Sequence, residues 1–75
     1  MMTTKSFNLI HDGKEYEIAF ARDGRGLWKI KIDGVYRATG RRLKQNSWMV
    51  RLGENACAGR TLADAISTAF YEWIR

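Results

Sequence analysis

Through most of the chain apolar side chains fall at every second position, and only over the last fifteen residues does their spacing lengthen to three and four. In that last stretch Leu62, Ala65, Ile66, Ala69, Phe70 and Trp73 share one side of a helix, with Asp64, Ser67, Thr68 and Glu72 left for solvent or the flanks. Thr61 with Asp64 three residues on approximates a capping box, so the spacing predicts a helix over about 61–74 with Thr61 as its N-cap. Upstream, period-two alternation predicts strands. Phe7 and Leu9 share a face, as do Tyr16, Ile18 and Phe20, then Trp28, Ile30 and Ile32, and finally Trp48, Val50 and Leu52. Asp12-Gly13, Asp23-Gly24 and Asp33-Gly34 mark the turns between them.

Two stretches are less determinate. In Val35-Tyr36-Arg37-Ala38-Thr39 either Val35 or the pair Tyr36 and Ala38 can face the core; Tyr36 and Ala38 are preferred because the alternative buries Arg37. Gly40-Arg41-Arg42-Leu43-Lys44-Gln45-Asn46 reads as a basic loop, and Ala56-Cys57-Ala58 as a short final strand. The expected architecture is α+β: a small antiparallel β-meander of four to six short strands with one C-terminal helix packed on one face. A chain of 75 residues has room for a single compact domain spanning 1–75, with residues 1–4 expected to be disordered.

Charge adds the question of the uncovered face. From Arg22 to Arg51 there are nine basic residues and two acids, a segment charge of +7, whereas the flanks together carry −2. If the apolar set goes under the helix, alternation sends Lys29, Lys31, Arg37, Met49 and Arg51 to the opposite face, with Arg41, Arg42 and Lys44 in the adjoining loop. Antiparallel sheets ordinarily carry Lys and Arg on a solvated side. Three strands contributing one sign of charge to one surface also make a polyanion-binding face, and an acidic protein surface would suit it too. The expected outward set contains Lys, Arg and Met but no aromatic ring, which weighs against stacking of single-stranded bases.

No catalytic constellation emerges. His11, beside a turn, and Cys57, among small residues suited to packing beneath the helix, are single and far apart in sequence, and the turn aspartates Asp12, Asp23 and Asp33 already have structural work. Neither a zinc cluster nor a phosphate loop is spelled out; no metal, cofactor or enzymatic activity is expected. One cysteine permits no intrachain disulfide, and neither a signal peptide nor a membrane span is legible, so the expected location is cytoplasmic.

Strands followed by a helix that begins at Thr61 and carries Ala65 and Ala69 resemble, over 28–70, the three-stranded-sheet-plus-helix DNA-binding modules at the start of some recombinases and in certain plant transcription regulators. That resemblance of pattern implies a sheet lying in the major groove with the helix supporting it from behind. The expectation is a small accessory or regulatory protein, of the kind encoded by phages or plasmids, that binds duplex DNA through Lys29, Lys31, Arg37, Arg41, Arg42, Lys44 and Arg51. The competing expectation is an interaction or inhibitor module that docks on an acidic partner or forms a homodimer through Tyr71 and Ile74.

Overall fold

The computed structural model describes residues 4–24 and 26–75. Six strands follow one another in sequence, β1 (Lys5–His11), β2 (Lys14–Arg22), β3 (Leu27–Ile32), β4 (Val35–Lys44), β5 (Ser47–Leu52) and β6 (Asn55–Gly59), before the helix α1 (Leu62–Ile74). Each pairs antiparallel with its neighbour, giving one sheet in the order β1-β2-β3-β4-β5-β6. The expectation of disorder over 1–4 falls, for residues 1–3, outside the described residues; Thr4 is exposed and precedes β1.

Turn chemistry sets the register. Asp12-Gly13 and Asp33-Gly34 each join two strands with both central residues at positive φ, 51° and 75° in the first and 51° and 81° in the second. This is the left-handed pair that a type I′ hairpin needs, and it matches the twist of the flanking strands. Asp33 does more than turn the chain: its Oδ1 accepts the Glu17 N–H at 2.9 Å while its own N–H donates to the Glu17 carbonyl at 2.8 Å. The β3–β4 turn is thereby clipped to β2.

Cross-strand partners share a face, so the register yields the core directly. Phe7–Ile18–Ile32 forms one row on the helix side and Phe20–Ile30–Ala38–Leu52 the next. A third row is Trp28–Gly40–Val50–Cys57. The helix lays Leu62, Ala65, Ile66, Ala69 and Phe70 onto this surface, packing over β4, β5 and β6. Its start is fixed by Thr61, whose Oγ1 accepts the Asp64 N–H at 3.1 Å. The part of the helix-side surface that α1 does not cover is filled by the sheet's own rings, Phe7, Phe20, Trp28 and Trp48, in successive contacts of 5.9, 6.0 and 6.2 Å between centroids. Two helix side chains reach toward it: Phe70 meets Tyr16 edge to face at 5.2 Å, and the Tyr71 hydroxyl donates to the Ile10 carbonyl at 3.0 Å.

Two expectations need correction in β4. The segment Gly40–Lys44 is strand rather than loop, because β4 runs on to Lys44 beside β5 before turning at Gln45-Asn46. Gly40 is required there by packing: a Cβ on it would lie 2.8 Å from Leu62 Cδ1 and 3.4 Å from both Ile30 and Val50. The second correction concerns Tyr36. A register shift between Ile30 and Lys31 pairs Ile30 with Ala38 but Lys31 with Tyr36, leaving Arg37 as the extra residue of a β-bulge. Ala38 therefore faces the core as expected, whereas Tyr36 turns to the opposite face and stays 49% exposed.

Candidate nucleic-acid interface

The open face can be written as rows in the same way. Ser6–Ala19–Lys31–Tyr36 crosses β1 to β4, Ala21–Lys29–Thr39–Arg51–Ala56 crosses β2 to β6, and Leu27–Arg41–Met49–Ala58 crosses β3 to β6. Lys29, Lys31, Arg41 and Arg51 are all exposed. They stand on three adjacent strands; Ala21, Thr39 and Ala56 keep the Lys29–Arg51 row low, whereas Leu27 and Met49 flank Arg41 and Tyr36 stands beside Lys31. Two strand spacings separate β3 from β5, about 10 Å.

Among the described residues the one carboxylate paired with this cationic group is that of Asp23, whose Oδ2 lies 3.3 Å from Lys29 Nζ. Glu15 and Glu17 lie on the same face farther toward β1, and the Asn8 amide donates to Glu15 Oε2 at 3.0 Å. Positive charge thus occupies the middle of the sheet and negative charge one end of its β1–β2 side. Lys29 has a second partner in the Tyr36 ring, whose centroid is 5.4 Å from Nζ, a cation–π distance.

The remaining basic residues separate from this group. Arg37, expected beside Arg51, is carried by the bulge to the helix side, where its guanidinium carbon lies 5.7 Å from the centroid of the Trp73 ring. The sequence argument against burying Arg37 is met by this stacking, which leaves the residue exposed with its guanidinium directed to Trp73. Arg42 is the register partner of Trp48 and so lies on the helix side at the other end of β4. Lys44 sits beyond a second register shift, opposite Ser47 at the β4–β5 turn. Of the seven basic residues singled out from the sequence, Lys29, Lys31, Arg41 and Arg51 stand together in the middle of the open face, and Lys44, as the partner of Ser47, lies on that face at its β4–β5 end.

Tyr71 and Ile74 are differently placed from one another. Tyr71 remains 41% exposed although its hydroxyl is held by β1, and Ile74 is half-buried against the core. His11 and Cys57 lie on opposite edge strands, β1 and β6, and no group of three or more His, Cys, Asp or Glu side chains suited to a metal occurs among the described residues. No helix among those residues is long and apolar enough to cross a membrane. No protein-family model matches the chain, and no curated protein or solved structure matches it either.

Proposed function

We propose that the open face binds the phosphate backbone of nucleic acid, with duplex DNA as its ligand, and that the protein acts as a non-enzymatic accessory or regulator. The observation that supports this most is the convergence of Lys29, Lys31, Arg41 and Arg51 from β3, β4 and β5 onto one surface where, among the described residues, a single carboxylate is paired with them. Like charges on neighbouring strands repel, and a polyanion relieves that repulsion while releasing its own counterions. Within the Lys29–Arg51 row the small side chains of Ala21, Thr39 and Ala56 favour close approach of a backbone. The breadth of the cationic area, about 10 Å across three strands, is commensurate with a major groove about 12 Å wide.

The test is duplex binding by fluorescence anisotropy over about 50–200 mM salt, with affinity falling at a logarithmic slope of about −0.9 per phosphate neutralised. The double substitution Lys29→Ala, Lys31→Ala is expected to flatten the slope by roughly two contacts. Equal affinity and equal slope for the double variant and the unmodified protein would remove the basic face from the account.

A further inference from the structure

The bulge at Arg37 adds to the basic face the one feature its sequence pattern lacked. Tyr36, Thr39 and Arg51 line a depression of about 350 Å³, together with Arg37, Ala38 and Gly53. It is a shallow surface hollow open to solvent, with no enclosing wall. Lys29 Nζ lies 5.4 Å from the Tyr36 ring centroid but Lys29 does not line the depression, which Tyr36 shares with Arg51 and Thr39.

The chemistry of its lining is selective. A phenol ring and a guanidinium both stack on flat π-systems, and the Thr39 hydroxyl can donate to or accept from a ring edge. No carboxylate lines the hollow. Lys31 is the direct register partner of Tyr36 on the same face, outside the residues that line the hollow. A flat, hydrogen-bonding ring tethered to phosphates satisfies all of these groups together; an isolated anion would leave the ring unused.

We infer that Tyr36, Arg51 and Thr39 form a seat for one unpaired nucleobase, stacked on the Tyr36 ring while Lys29 and Lys31 hold the adjoining phosphates. This rests on the backbone-binding reading above and extends it to single-stranded or locally opened nucleic acid. In a regular duplex the base cannot reach the hollow, because it is stacked and paired.

The experiment compares three probes of matched phosphate number: a single-stranded oligodeoxynucleotide, the same backbone made abasic, and a blunt duplex. The unmodified protein should bind the intact single strand about 5- to 150-fold more tightly than the abasic one, the range given by one base–aromatic stack. Tyr36→Ala should bring the intact strand down to the abasic level and leave duplex affinity and its salt slope unchanged, whereas Tyr36→Phe should retain the preference. A 2-aminopurine placed in the strand should be quenched on binding by the unmodified protein and by Tyr36→Phe but less by Tyr36→Ala.

If duplex and abasic strand bind with the expected salt slope but Tyr36→Ala changes nothing, the base seat is wrong and backbone binding stands. If none of the three probes binds in a salt-dependent way, both readings fall. Equal affinity for poly-glutamate and the intact strand would overturn the inference in favour of an acidic polypeptide.

Discussion

Gly59 lies so close beneath Ala65 that a methyl group on it would sit 2.6 Å from the Ala65 amide nitrogen. The same Cβ would be 3.0 Å from Ala65 Cα and 3.0 Å from the Asp64 carbonyl carbon, so the obstruction is helix backbone. Gly40 is crowded as well, but its nearest neighbour is the tip of Leu62, which can rotate aside. Gly59→Ala should therefore cost at least the roughly 1–3 kcal/mol usual for overpacking, and more than Gly40→Ala. Thermal denaturation of the two variants checks the order, since 1 kcal/mol moves the midpoint of a domain this size by about 4–8 °C.

Phe70 is fully buried and meets Tyr16, Tyr71 and Trp73. Phe70→Ala should lose about 3–5 kcal/mol, comparable with the whole stability of so small a domain. Trp73 is only half-buried, so Trp73→Ala should cost less and leave a folded population. Near-ultraviolet circular dichroism and denaturant titration distinguish an unfolded Phe70→Ala from a weakened Trp73→Ala.

Asp33 supports two things at once, a positive φ of 51° and the acceptor for the Glu17 N–H. Asp33→Asn keeps an acceptor oxygen and tolerates the left-handed backbone, so its urea midpoint should stay close to the original. Asp33→Ala loses the hydrogen bond, at about 0.5–1.5 kcal/mol, and meets backbone strain of roughly 1–2 kcal/mol. The comparison separates the turn's hydrogen bonding from the exposed ion pair of Asp33 with Lys14 at 3.9 Å, which both substitutions remove and which contributes little.

Arg51 and Arg37 provide an internal control for the proposed interface. On the open face, Arg51→Ala should weaken duplex binding and reduce the salt slope by about 0.9, the share of one phosphate. Arg37→Ala should leave duplex binding unchanged and slightly lower stability through the lost stacking on Trp73. Anisotropy titrations at several salt concentrations, paired with melting curves, read both effects.

The alternation of Tyr16-Ile18-Phe20, Trp28-Ile30-Ile32 and Trp48-Val50-Leu52, the Asp-Gly turns and the Thr61 cap were sufficient to read the meander and its helix, because each is a local signal. The bulge at Arg37 was not legible. Its acceptability depends on Trp73, 36 residues downstream, which receives the guanidinium that would otherwise have argued for the opposite facing. Gly40 misled for a related reason: it resembles a loop residue by composition, yet its missing side chain is filled by Leu62 from the helix. Four members of the basic set, Lys29, Lys31, Arg41 and Arg51, do share the open face. Arg41 does so as part of a strand that the sequence does not distinguish from a basic loop.

The order of elements has a further consequence for the nascent chain. All six strands precede α1, so during synthesis the apolar rows bearing Ile18, Ile30 and Val50 exist before the segment that covers them. At roughly 5–20 residues per second, the thirteen residues of α1 take about 1–3 s to make. Until α1 docks, the apolar rows are open to chaperones, to neighbouring chains and to the sheet's own edges. Docking of α1 thus decides whether the apolar rows of the preceding strands become a core or stay open to another chain.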